Sequence, residues 1–338
     1  FGIGDSVKNI ITFQYDEIMK YDFSVTLNDP ADEEAMEQFR KDTEDCLNTL
    51  VFLHSTSADL YTDNGLKSPS LIVTDDASLT ELVDLHLGET AVPYPADGYA
   101  VINENLAKIG GYEIGDSIEM MVSETESITA EISGICENYV DNYIYITAGT
   151  YESALGYAPE IKTVFARGNG GDEHETAAEI MNLDGILNVS VVADTKAMVD
   201  DMMQSMNFVV LLVIACAAAL AFVVLYNLSN INITERVREI ATLKVLGFYP
   251  GEVSSYVFRE NLMLTFLGAL AGLPLGIALH SFVISQIKID LVSFDVRILP
   301  VSFVYSFVLT ILFTVLVDLF MRGKLNRINM AESLKSIE

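Results

Sequence analysis

The chain has 338 residues and a net formal charge of −29 that is unevenly placed. Residues 1–205 carry 9 Lys and Arg against 39 Asp and Glu, whereas residues 206–338 carry 10 against 9. So acidic a first part repels nucleic-acid phosphates and excludes nucleic acid as a partner. The change near residue 206 predicts two regions.

The acidic region reads as mixed α/β. Residues 1–20 suit the start of a helix, and 21–27 alternate as a strand does. Asn28, Asp29 and Pro30 open a helix expected over 31–50. A short buried-type strand follows at 70–74, then a helix over 76–87 with Ser78 and Glu81 in capping-box spacing. Strands at 99–103, 117–122, 127–136 and 142–147, separated by Gly and Asp turns, predict a small barrel-like subdomain. A helical turn at 104–109 lies among them. Strand 163–167, helix 172–181, strand 189–193 and helix 194–206 close the region. The fold class expected is therefore an α+β domain over 1–205 followed by three transmembrane α-helices over 206–338.

The chain starts at Phe1 without the n-region or h-region of a signal peptide, and is expected to be a piece of something longer. Cys46, Cys136 and Cys216 fit no metal spacing, and a Cys46–Cys136 disulfide is not expected. Cys216 reads as a small packing residue within a span.

Three apolar stretches, about 208–228, 261–287 and 301–320, are each long enough for a bilayer, which takes about 20 apolar residues. Arg236, Arg238, Lys244 and Arg259 follow the first stretch, and Arg322, Lys324, Arg327 and Lys335 lie in the tail 321–338. The connection 288–299 holds only Lys288 and Arg297. Positively charged loops stay in the cytoplasm, so residues 1–205 belong outside.

Segment 231–246, between the first two spans, has Ile233, Val237, Ile240, Leu243 and Lys244 at helical spacing. Asn232 or Thr234 would cap its start, and Gly247 would end it, with Pro250 blocking continuation. Two readings stay open. The helix either lies under lipid headgroups or docks on a soluble partner through its charged side.

Gly268, Gly272 and Gly276 share one helix face and allow close approach of another helix, in the same subunit or across a dimer seam. Pro274 between them would kink the helix or free a carbonyl. Asp318 is expected to pair with Arg322 at i,i+4. A proton-relay role for His280, toward the outer end of the middle span, is not expected. Phosphate-loop, GxSxG and HExxH patterns are missing and the four histidines are scattered, so no enzyme, cofactor or metal is expected.

The run from Glu235 to Gly247, ERVREIATLKVLG, resembles the ERxREIxxLKxLG signature of FtsX/MacB-type ABC transporter permeases. Glu260 and Asn261 opening the next span, the glycine-spaced face at 268–276 and the tail 328–335 also resemble that family. So does the pattern LAKI at 106–109 with Gly115, Asp116, Gly134 and Ile135.

The resemblance implies a MacB-like extracytoplasmic core domain in a multi-pass protein of a bacterial cytoplasmic membrane. It also implies a further span before the domain, with residues 1–6 just past it. The implied function is a permease subunit that couples ATP hydrolysis by a separate ABC ATPase to movement of the outside domain, for export or extraction. Its implied partners are that ATPase, a second permease half or homodimer partner, and the bilayer. Segment 231–246 becomes the coupling helix, meeting the ATPase through Glu235, Arg236, Arg238, Glu239, Leu243 and Lys244. The alternative is a cell-division or wall regulator of the same fold that activates a peptidoglycan hydrolase and transports nothing.

Overall fold

The structure, a computed structural model, describes residues 10–62, 65–286 and 298–326. Two units divide the chain near residue 204.

The acidic unit contains strands β1 (Phe23–Leu27), β2 (Leu47–Ser57), β3 (Leu60–Thr62), β4 (Gly65–Lys67), β5 (Ser70–Val73), β6 (His86–Leu87) and β7 (Thr90–Ala91). They are followed by β8 (Tyr99–Asn103), β9 (Ser117–Met121), β10 (Ser127–Cys136), β11 (Tyr143–Ile146), β12 (Thr163–Gly168) and β13 (Ile186–Val191). Its short helices are α1 (Glu33–Asp42), α2 (Leu79–Leu82), α3 (Glu104–Gly110), α4 (Ala148–Leu155) and α5 (Glu173–Met181).

Nine strands form one mixed sheet in the order β13-β1-β12-β2-β5-β11-β8-β10-β9. β10 alternates buried and exposed residues along its length, as a strand with one face on a core must. An antiparallel bridge between Asp59 and Met121 ties β9 back to the chain leaving β2, with N–H···O distances of 2.7 and 2.9 Å. That closure curls the β5–β9 half around Leu71, Ile102, Ile118, Met120, Ile132, Ile144 and Ile146. This is the expected barrel-like subdomain. The other half packs Phe23, Val25, Phe52 and Val164 against Phe39 of α1 and Ile180 of α5.

Local chemistry moved several expected boundaries. The helix expected over 31–50 stops at Asp42, where the Thr43 hydroxyl donates to the Phe39 carbonyl at 2.8 Å. Its start is capped by Asp32, which accepts from the Ala35 N–H. Beyond it the chain becomes β2, where Val51 and Leu53 are fully buried, so burial in a central strand overrode helical propensity. The helix expected over 76–87 shrinks to α2, and Ser78 makes no side-chain cap; the Asp76 carboxylate instead accepts from the Ser78 N–H. Strand 189–193 is observed as β13, which begins three residues earlier and ends two earlier, and the helix after it begins at Val192.

The second unit is helical: α6 (Val192–Glu235), α7 (Val237–Val245), α8 (Pro250–Gln286) and α9 (Pro300–Asn326). Helix α6 is unbroken for 44 residues, so the last helix of the acidic region and the first apolar stretch are one element, as expected. Three segments, Phe208–Glu235, Gly251–Val283 and Pro300–Gly323, are long and apolar enough to cross a membrane. The second starts ten residues earlier than the sequence suggested, because α8 begins at Pro250 and carries Arg259 and Glu260 within its body. Pro250 thus starts a helix rather than only ending one, consistent with proline's fitness for the first helical position. Helix α8 continues through Pro274. The tail residues 328–335 and residues 1–6 lie outside the described residues.

Candidate functional site

The charged segment between the first two spans is bent rather than separate. Helix α6 runs past Asn232 and Thr234, so neither caps anything. The bend comes at Arg236 (φ −100°, ψ 14°), yet bonds from the Arg236 N–H to the Asn232 carbonyl and from the Ile240 N–H to the Arg236 carbonyl carry the ladder across it. Helix α7 ends in a Schellman arrangement. The Phe248 N–H donates to the Leu243 carbonyl and the Gly247 N–H to the Lys244 carbonyl, with Gly247 at φ +90°. Two residues later the Glu252 carboxylate accepts from the Tyr249 N–H at 2.8 Å, half of a capping box for α8. The turn between α7 and α8 is therefore sharp and fixed at both ends.

Helix α7 uses its apolar face within the chain. Ile240 and Ala241 are buried, and Ile240 clusters with Ile233, with Val253 and Phe258 of α8, and with Val317 and Met321 of α9. The apolar stripe read from the sequence therefore meets protein.

The six partner-binding candidates separate accordingly. Glu235, Arg238 and Glu239 are exposed, Lys244 is half-buried, and Leu243 packs on the apolar cluster. Arg236 is partly exposed and forks onto Glu260, Nη2 to Oε1 at 2.7 Å and Nη1 to Oε2. That pairing raises the Arg236 guanidinium further above its already high ordinary value.

Sequence reasoning missed the tip of the turn. Val245, Leu246, Phe248 and Tyr249 are 60, 69, 49 and 77% exposed. A groove of about 520 Å³ lies beside them, lined by Leu243, Phe248, Val253, Tyr256, Arg259 and Met263 among others. The signal was present: an apolar run, VLGFY, directly after the amphipathic stripe and outside any span.

A second set was also missed. Asn261 donates both amide hydrogens, one to Ser229 Oγ of α6 at 3.0 Å and one to Asp318 Oδ1 of α9 at 2.8 Å. All three side chains are buried. Asp318 thus takes its hydrogen bond from a neighbouring helix; the expected Asp318–Arg322 pair does not close to within 4 Å among the ion pairs of the described residues, although the Arg322 charge still acts on the carboxylate. The physical reason is reach: Asn261 faces Asp318 across the helix interface, where a buried carboxylate needs a donor.

Gly268, Gly272 and Gly276 line a cleft of about 580 Å³ together with Ser302, Ser306 and Thr310 of α9 and His280. A Cβ placed on any of the three glycines would meet no atom within 4 Å. The close approach they permit is not made by any described residue of this chain. The Ser306 and Thr310 hydroxyls donate to carbonyls four residues back on their own helix.

Among the described residues no group of His, Cys, Asp and Glu is arranged to hold a metal. The three cysteines are free thiols. Cys216 is exposed on the outside of α6, not packed as expected.

A family model described as FtsX-like permease C-terminal matches residues 211–330. No curated protein matches the chain. Among solved structures, the extracellular domain of the noncanonic ABC-type transporter YknZ from Gram-positive bacteria is similar at 12% identity and a TM-score of 0.33, covering 50% of this chain and 98% of that one. The periplasmic region of MacB from Actinobacillus actinomycetemcomitans is similar at 9% identity and a TM-score of 0.34, covering 56% and 97%. A putative lipoprotein from Bacillus anthracis reaches 11% and 0.27, covering 50% and 96%. The stretch that matches the FtsX-like permease C-terminal model, residues 211–330, contains the α6–α8 junction, the buried Asn261 contacts and the glycine face.

Proposed function

We propose that the chain is the permease subunit of an ABC system in a bacterial cytoplasmic membrane. In this reading residues 1–205 lie outside, and α7 with its following turn meets a separate ATPase in the cytoplasm. The observation that carries the reading is the α7–α8 turn. Its apolar face is already covered by α8 and α9, and its exposed tip of Val245, Leu246, Phe248 and Tyr249 remains for a soluble partner. Arg238 and Glu239, exposed at the start of α7, give the contact its orientation. The Lys and Arg of segment 229–260 support a cytoplasmic position for it. Force would pass through α6, one helix from Val192 to Glu235, to the acidic domain, moving it for export or extraction of a substrate. The open glycine face supports a second permease half or a second copy as helix partner.

Docking by the tip is tested with Leu246→Asp and Tyr249→Asp in the membrane-inserted protein. Both are expected to abolish co-purification of the ATPase and its stimulation. Glu239→Lys is expected to weaken stimulation while insertion stays normal. Unchanged binding and stimulation in Leu246→Asp and Tyr249→Asp would overturn the docking site. Labelling of a cysteine at Thr242 by an impermeant reagent in intact cells, with none at Thr90, would reverse the topology.

A further inference from the structure

Two consecutive residues of α8 read two different neighbours. Glu260 accepts the Arg236 fork, and so holds the bend between α6 and α7. Asn261, about 100° round the helix, lies 2% exposed and gives one hydrogen to Ser229 of α6 and the other to Asp318 of α9. An amide nitrogen has two hydrogens to donate, and both bonds run to different helices. The surroundings are apolar: Ile233, Phe258 and Val317 are close by in sequence on the same three helices and are themselves buried.

We propose that Glu260 and Asn261 form the transmission point of the permease. A displacement of α7 reaches α8 through Arg236 and Glu260, and Asn261 passes it to the first and third spans at once. Asn261 acts as a positioning residue, with Asp318 and Ser229 as the groups it positions. The inference rests on the reading that α7 meets an ATPase, and it adds where the movement goes next.

Helices in lipid gain little from apolar contact with one another, so the few polar bonds between them define how they move together. A carboxylate buried between helices needs its donor, because leaving it unpaired costs its lost solvation. The Asn261–Asp318 bond is therefore kept intact or exchanged for another, and is not left open. A contact with that property makes α6, α8 and α9 move together at this point, which gives the movement a contiguous physical path.

The test uses the full chain in nanodiscs with its ATPase. Asn261→Asp sets two carboxylates against each other, Asn261→Leu removes both donors, and Asn261→Asp combined with Asp318→Asn remakes the bond with donor and acceptor exchanged. Three readouts are taken: ATPase co-purification, stimulation of ATP hydrolysis, and the ATP-dependent change in distance between spin labels at Val213 and Leu312. Asn261→Asp and Asn261→Leu are expected to keep the ATPase bound but to lose stimulation by about tenfold or more, together with the ATP-dependent distance change. The exchanged pair is expected to regain both. Normal stimulation in the single variants, or an exchanged pair no better than Asn261→Asp, overturns the inference. Wild-type protein that binds no ATPase overturns the functional reading instead, and co-purification reports that separately.

Discussion

The two units of this chain are built inside out relative to each other. In the acidic unit the large apolar side chains are interior: Phe23, Leu53, Leu71, Ile102 and Met120 are all below 2% exposed. From Phe208 onward most large apolar side chains face outward along three helices, while Ser229, Asn261, Thr314 and Asp318 are interior together with a small apolar cluster that includes Ile233, Ile240, Phe258 and Val317. One sequence therefore answers two solvents. Water rewards burial of apolar area in the first unit. In the second, an apolar surround accepts the outward side chains, and the bundle is fastened by polar contacts between helices.

The sharpest way to break this comparison is the same truncation in both places. Phe23→Ala in residues 10–200 expressed alone is expected to cost about 3–5 kcal/mol, because it empties a filled core site. Urea unfolding followed by circular dichroism measures it. Leu212, 62% exposed on α6, is expected to tolerate alanine with a change below about 0.5 kcal/mol, read as retained helicity during heating in detergent. Equal losses at the two sites would show that α6 is covered where the comparison leaves it open.

A smaller effect tests the polar side of the acidic unit. Gln14, 1% exposed in the helical segment Phe13–Ile18 that precedes β1, accepts from the Tyr139 N–H at 2.9 Å and the Val140 N–H at 3.2 Å, and donates to Asn138 at 2.9 Å. Gln14→Ala leaves two backbone donors unpaired and is expected to cost about 1–3 kcal/mol. Residues 21–200 lack both that clasp and the core side chains Ile10 and Ile18, so they should melt lower than residues 10–200. A fragment 21–200 as stable as 10–200 would remove the first turns from the core.

These contrasts also show why the sequence was legible in some places and not in others. The apolar stretches declare themselves by length alone, and the alternation of β10 needs only one face in a core. The strand β2 was hidden because Leu47–Leu53 continues the apolar spacing of the helix before it, and only its place in the middle of the sheet decides the matter. At the junction, the signature run identified the segment but not the direction of each charge. Arg236 and Glu239 are both charged residues of one short segment. Yet Arg236 is held by Glu260, 24 residues away, and no local pattern announces that partner. Asn261 was read only as the start of a span for the same reason.

Thiol chemistry sharpens the contrast further. Burial pushes the Cys136 thiol up to about 12, and Cys46 is raised for the same first cause. Cys136 should resist a hydrophilic maleimide at pH 8 until the unit is unfolded. Cys216, exposed on an apolar helix, should react with a lipid-soluble reagent and be shielded from a hydrophilic one in membranes. Rapid hydrophilic labelling of Cys216 in intact membranes would place that face of α6 in water.

The smallest effect concerns a single carboxyl. Asp141 sits at φ +62° in the loop after Val140; its side chain is exposed at the surface, and partial desolvation on its inner side raises the carboxyl above the ordinary value. The folded form then holds the proton more tightly than the unfolded form. Stability is accordingly lost as pH rises through the interval between the ordinary and the raised value, and it stays lower above that interval. Asp141→Asn removes the charge and keeps a residue type that accepts the left-handed backbone. The loop bond runs from the Asn138 side-chain amide to the backbone carbonyl of residue 141, and the substitution leaves it intact. The variant should therefore melt about 1 °C higher than wild type at pH 7, with the difference vanishing near pH 3, where the wild-type carboxyl is protonated in both states. Tyr15, whose hydroxyl is raised first by burial and then by the Asp141 charge, should titrate at lower pH in the variant. A lower melting temperature at pH 7 would mean that the Asp141 carboxylate makes a stabilising contact that outweighs its partial desolvation.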